Sequence, residues 1–182
     1  MTSGAARPNA ARGLRAFACD ERAATAVEFA LLITPLMLLI LASLQLSIIF
    51  FAGQVLQSAA IASGRQLMTG AAQNSGMTQA QFQTLVCNNA PILFSCSNIM
   101  VDVESASAYS SISTAPPTLN YNTNGNVTNT WSYNPGGGGN IVILRVMYLW
   151  PVVGGPVALS LANQPNNNYL LVATSVFKNE PF

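Results

Sequence analysis

The longest uninterrupted pattern in the chain is a run of apolar residues from Phe29 to Ala52, FALLITPLMLLILASLQLSIIFFA, with nothing more polar than Thr34, Ser43, Gln45 and Ser47. As a helix at about 1.5 Å per residue it would reach roughly 36 Å, enough to cross a hydrocarbon core of about 30 Å. The run is too long for a strand, and a helix buried in a soluble domain is rarely apolar on every face. A transmembrane helix over 24–53 is therefore expected. Pro35 lies inside it and frees the carbonyl of Leu31, so a mild kink of the kind membrane helices tolerate is expected too. Helical composition then continues through Gln54–Met68, rich in Ala, Leu and Gln, with no proline before Pro91. One helix from about residue 24 to about 69 would be near 70 Å long. A helical stalk over 54–77 would then stand outside the bilayer and pack against its own domain or against copies of itself.

Further along, the pattern shortens. Thr78-Gln79-Ala80-Gln81 fits a capping box, and Phe82, Leu85 and Val86 share one face of a short helix over 78 to about 89. Asn98–Glu104 alternates Ile99, Val101 and Val103 with Met100, Asp102 and Glu104, which predicts a half-buried strand. Asn140–Trp150, β-branched and aromatic and stopped by Pro151, is the strongest strand signal in the chain, and Leu170–Phe177 predicts a last strand. Between these two, residues 152–163 read as a turn and a short helix. Residues 105–140 are dominated by Ser, Thr, Asn, Gly and Pro, with Tyr109, Tyr121, Trp131 and Tyr133 interspersed. They predict a flexible polar loop, with a contact surface as the competing reading. The expected fold class is α+β: a long N-terminal helix, transmembrane in its first half, then a domain over 78–182 with a short helix and a three- or four-stranded antiparallel sheet.

Charge sharpens this picture. Charged residues make up 7% of the chain, against about 25% in ordinary soluble domains. The net charge is +1 and no basic patch exists, so nucleic acid is not an expected partner. Histidine, the commonest general base and metal ligand, is absent. Arg7, Arg12, Arg15 and Arg22 precede the apolar run, and the next Lys or Arg is Arg65. By the positive-inside rule the leader over 1–23 stays cytoplasmic and the remainder is exported. A cleaved secretory signal fits less well, because its apolar region is usually about 7–15 residues. The small-x-small site Ala60-Ile61-Ala62 also lies well beyond the apolar run.

One acid, Glu28, stands at the edge of the span. Taken alone it reads as an interfacial carboxylate reaching for water, helped by the positive helix N-terminus. The surrounding string Asp20-Glu21-Arg22-Ala23-Ala24-Thr25-Ala26-Val27-Glu28-Phe29-Ala30-Leu31-Leu32 resembles the N-terminus of the TadE-like pseudopilins of the tight-adherence (Tad/Flp) pilus system. In that family a basic leader and a small residue precede the cut, a Glu-Phe or Glu-Tyr pair follows, and then a hydrophobic helix. The resemblance implies a prepilin peptidase site between Ala23 and Ala24, with Ala23 where relatives usually carry Gly. It implies that Glu28 and Phe29 form the assembly motif, Glu28 neutralising the new α-amino group of Ala24 on a neighbouring subunit. Gln45 stands where many relatives carry a second intramembrane acid. The endings Tyr148-x-Trp150-Pro151 and Phe177-Lys178-Asn179-Glu180-Pro181-Phe182 are similar to the same family.

By this resemblance the chain is a single-pass protein of the bacterial inner membrane with a periplasmic domain, entering or supporting the surface pilus. Its implied partners are the membrane, pilin and pseudopilin subunits, the inner-membrane assembly platform and the prepilin peptidase. No cofactor and no small-molecule substrate are implied. The other reading is a single-pass envelope protein whose exported domain binds something unrelated to pili.

Three cysteines divide by side of the membrane. Cys19 lies in the leader; Cys87 and Cys96 are both exported, where disulfides persist. A bridge between them is favoured, with metal binding as the competitor, since two sulfurs without His make a poor zinc site. The family resemblance agrees with the bridge. Asp102 and Glu104 share a strand face and in pairs such acids can serve as acid and base or as calcium ligands. With Arg145 the next charge, a solvent-facing strand edge is the preferred reading. Gly136–Gly139 lacks the Lys-Ser/Thr ending and following helix of a phosphate loop. An enzyme is not expected: without His, the candidate nucleophiles and bases are scattered Ser, Asp and Glu.

Overall fold

The computed structural model describes residues 21–90, 93–152 and 161–182, with side chains from Thr25 onward. All but the end of the expected leader, and most of the turn and short helix expected over 152–163, lie outside the described residues. The chain divides into two compact units, Met1–Leu44 and Gln45–Phe182.

Helix α1 spans Glu21–Met68 and runs through Pro35 without a break. Immediately before the proline, Thr34 Oγ1 donates to the Ala30 carbonyl at 2.6 Å, and further along Ser43 Oγ makes the same bond to the Leu39 carbonyl. These hydroxyls are satisfied inside the helix, as an apolar setting requires. In the first unit no described side chain is buried: Leu31, Leu32 and Leu39 are among many exposed apolar residues. The stretch Thr25–Met68 is long and apolar enough to cross a membrane.

Within the second unit the same helix changes character. Ile49, Ala52, Leu56, Ala59, Ala60, Ser63, Gly64 and Leu67 are buried, at the three- and four-residue spacing of one helical face. Most of them are small, which lets the backbone approach closely what it packs on. A Cβ at Gly64 would sit 3.1 Å from the Phe177 ring and 3.5 Å from Leu144 Cδ2. Buried Ser63 is matched by Asn89, whose Nδ2 donates to its Oγ at 2.9 Å.

What that face packs on is a three-stranded antiparallel sheet, β1 (Met100–Ala106), β2 (Ile141–Pro151) and β3 (Asn168–Lys178), in the order β1-β2-β3. Of the three or four strands expected, three form. The alternation expected around Val101 and Val103 holds: both join Leu144, Val146, Leu171 and Ala173 in the core shared with α1. Residues 96–98 form a 3-10 turn, so β1 starts two residues later than the sequence suggests.

After α1, Gly70 turns the chain at φ 75°, followed by the one-turn α2 (Ala71–Asn74) and α3 (Gln79–Asn88). The capping box read from the sequence is present: Gln81 N–H donates to Thr78 Oγ1 at 3.3 Å, and Thr78 N–H donates to Gln81 Oε1 at 2.8 Å. Phe82, Val86 and Cys87 of α3 are buried.

The second face of the sheet departs from expectation. Ile143 and Met147 are fully buried there, and so are Arg145 and Asp102. Part of the cover comes from the polar segment between β1 and β2, whose Ser113 carbonyl accepts from Arg145 Nη2 and whose Ser132 N–H donates to Asp102. Between these two serines, Tyr121 and Val127 form a bridge that closes a small hairpin, held by Asn122 N–H to the Asn126 carbonyl at 3.0 Å and Thr128 N–H to the Asn120 carbonyl at 2.9 Å. The segment read as a polar loop, or as a contact surface, thus touches the sheet at Arg145 and carries a small hairpin of its own, its residues over 107–130 all exposed or half-buried. It packs without charges because asparagine side chains and backbone satisfy one another.

Candidate functional site

Glu28 and Phe29 lie on α1 in the first unit, both exposed, Phe29 by 64%. Glu28 makes no ion pair with another described residue, and no charged residue follows it until Arg65. Ala23 and Ala24 belong to the helical backbone of α1, with side chains outside the described residues. A lone carboxylate followed by 36 uncharged residues, 29–64, on a helix apolar all round, is the chemical feature this unit offers.

Residues 23–65 match the family described as TadE-like protein. The chain carries a TadE-like domain. That match includes Ala23, Glu28, Phe29 and the buried small-residue face of α1 as far as Gly64, while the cysteine pair and the sheet lie beyond it. No curated protein and no solved structure matches the chain. The matched family is one of structural pilus components rather than of enzymes, and the match suggests a Tad pilus-associated component.

Beyond the matched residues, the chain supports its helix with three kinds of chemistry. Cys87 and Cys96 are joined in a disulfide with Cα atoms 5.4 Å apart, inside the usual range of about 4.4–6.8 Å. The competing metal reading fails because each sulfur is bonded to the other; no group of three or more His, Cys, Asp or Glu that could hold a metal occurs among the described residues. The bridge ties the end of α3 to the 3-10 turn that leads into β1.

Asp102 corrects the sequence reading. It does not face solvent: it is 5% exposed and sits opposite Arg145, 4% exposed, in the β1–β2 register. Arg145 Nη1 donates to Asp102 Oδ2 at 2.6 Å and stands 3.4 Å from Glu104 Oε1. Ser132 N–H donates to Asp102 Oδ1 at 3.0 Å. Both carboxylate oxygens are therefore used, and the acid–base and calcium readings have no site. Only Glu104, half-buried, keeps part of the expected exposure. A signal was present in the sequence: Arg145, the one charge within an otherwise apolar run, has the two acids of the neighbouring strand as natural cross-strand partners.

Sequence reasoning missed the glutamines that meet the edges of the sheet. Gln57 lies alongside β3, its Nε2 donating to the Thr174 carbonyl at 3.0 Å and its Oε1 accepting from Thr174 N–H at 3.2 Å. Gln79 Nε2 donates to the Val101 carbonyl at 3.1 Å, and Gln83 Nε2 to the Ile99 carbonyl at 2.6 Å, on the opposite edge. There the excursion adds backbone bonds as well, Val103 N–H to the Ser132 carbonyl and Asn134 N–H to the Val103 carbonyl, each at 2.8 Å. Both edges of a small sheet are thereby covered at their middles, which blunts pairing with other chains. Tyr133, brought against Phe82 by this pairing, has its hydroxyl buried without a hydrogen-bond partner among the described residues, and burial raises its pKa.

Proposed function

We propose that the chain is a minor pseudopilin or membrane-anchored assembly component of a Tad-type pilus, supporting pilus biogenesis, surface adhesion and biofilm formation. It acts without catalysis. The observation that carries this is the TadE-like match beginning at Ala23, with Glu28-Phe29 at the head of an exposed apolar helix. In this reading residues 24–53 span the bacterial inner membrane once, the basic leader is cytoplasmic, and the stalk and domain are periplasmic. Prepilin peptidase cuts between Ala23 and Ala24, leaving a positive α-amino group. A carboxylate within an apolar layer costs roughly 2.5–3.5 kcal/mol, and pairing with that amino group on a neighbouring subunit removes much of the cost. The pair sets the stagger between adjacent helices, and the pilin and pseudopilin helices and the assembly platform are the partners.

Two measurements test this. Mass spectrometry of the purified protein should find a mature N-terminus at Ala24, and deletion of the gene should abolish fibres and attachment. An intact leader together with normal piliation and adhesion would instead support an envelope protein whose exported domain binds something unrelated to pili. Glu28→Gln should reach the membrane at wild-type level yet lower fibre number about tenfold or more, the equivalent of losing at least about 1.4 kcal/mol of pairing. Wild-type fibre number in that variant would remove Glu28 from the mechanism.

A further inference from the structure

Beside the ends of β1 and β2, under two asparagine-rich turns, lies a cavity of about 410 Å³. That is within the range of about 300–1,000 Å³ typical of small-ligand sites. Its lining has a consistent chemistry. Met100, Val127 and Leu149 supply an apolar floor, all of them half-buried, and Asn126, Asn166 and Asn168 supply side-chain amides. No charged residue lines it among the described residues. The amide of Asn126 makes no hydrogen bond to another described residue, and that of Asn166 reaches only the Gly125 carbonyl at 3.5 Å. Asn168 Nδ2 donates to the Pro165 carbonyl at 3.2 Å, leaving its oxygen as an acceptor.

The walls are held in place before any ligand arrives. Tyr121 Oη donates to Gln164 Oε1 at 2.7 Å, tying the 120–128 hairpin to the 164–168 turn. Asn166 and Asn167 both take left-handed backbone conformations, at φ 59° and 55°, a state that asparagine adopts more readily than most residues. A fixed, uncharged cavity combining amides with an apolar floor selects for a particular ligand. An ion would find no counter-charge, and a lipid tail would leave the amides unpaired. A sugar ring matches both halves, with its C–H face on the floor and hydroxyls that donate to and accept from amides.

We propose that this cavity is a binding site for a neutral carbohydrate, one or two sugar units of an uncharged polysaccharide. The inference is separate from the pilus reading, since it concerns the second unit alone and is tested on purified protein. The full chain, held in a sugar-free zwitterionic detergent, would be titrated by calorimetry with maltotriose, cellotriose and triacetylchitotriose, and with trigalacturonate as the anionic control. At least one neutral trisaccharide should bind saturably below about 10 mM, a weak contact of roughly −3 kcal/mol or better, and trigalacturonate should not. Asn126→Trp, which fills the cavity from an exposed position, should abolish binding, and Asn126→Ala and Asn166→Ala should each weaken it about fivefold. Wild-type unfolding midpoints would show that these variants fold. The site is overturned if no neutral trisaccharide saturates, if Asn126→Trp binds as tightly as wild type, or if an uncharged asparagine-rich peptide binds more tightly than any sugar.

Discussion

Asp102 and Arg145 form a buried ion pair in the domain. They face each other across β1 and β2, both almost fully buried; the Ser113 carbonyl and Ser132 N–H add further hydrogen bonds, while Arg145 Nε is buried without a partner among the described residues. Two buried charges are weak evidence for net stability, because desolvation offsets their attraction, but removing one of them strands the other. Arg145→Met should therefore lower unfolding free energy by about 3–5 kcal/mol, while Asp102→Leu with Arg145→Met should recover most of that. Urea unfolding of the full chain in detergent measures both. Additive losses in the double variant would show that the pair is not coupled. Strand alternation alone sent Asp102 to solvent; the alternation was right, and the error lay in assuming that the second face was open. Part of its cover comes from a segment with no hydrophobic period, so nothing in the local pattern announced it.

At the scale of elements, α1 shows how one helix can obey two rules. Its first stretch is apolar all round, and its second keeps a buried stripe of Ala, Ser, Gly and Leu. The change was readable only as composition, since small residues mark close packing without saying against what. The end of α1 is set by Gly70, whose φ of 75° favours glycine, and by the ring of Phe182, which would lie 2.3 Å from a Cβ there. Glu180 N–H also donates to the Met68 carbonyl at 2.8 Å, giving one of the helix's last carbonyls a partner from the C-terminal tail. Gly70→Ala should thus cost about 1–3 kcal/mol, from backbone strain plus displacement of the ring. Phe182→Ala in that background should return the steric part and leave the conformational part. Thermal unfolding separates the two, and an unchanged midpoint in Gly70→Ala would refute the packing role of Phe182. The capping box of α3 was fully legible because Thr78 and Gln81 act within four residues. The glutamine caps on β1 and β3 were not, because Gln57 meets Thr174 across 117 positions of chain.

Across the whole molecule, a domain with one sheet and short helices draws support from its covalent link. The Cys87–Cys96 bridge closes a loop with a sequence separation of 9, worth about 2.5 kcal/mol on a chain-entropy estimate. Reduction, or the double change Cys87→Ser with Cys96→Ser, should lower the unfolding free energy of the full chain by that amount, read from its denaturant midpoint. No change on reduction would mean that packing alone holds α3 to β1. The sequence by itself determined what depends on neighbours along the chain: the apolar helix, its lone acid at position 28, the cap of α3, the three strands, and the TadE-like N-terminal string. These follow from hydropathy, spacing and hydrogen bonds that close over a few residues. Tertiary structure alone decided where Asp102 and Arg145 are buried, how the glutamines cover the sheet edges, and that Ser113 and Ser132 reach the buried pair. Those outcomes depend on which uncharged polar groups meet across long stretches of chain, and asparagine, serine and glycine carry no periodic signal that foretells the meeting.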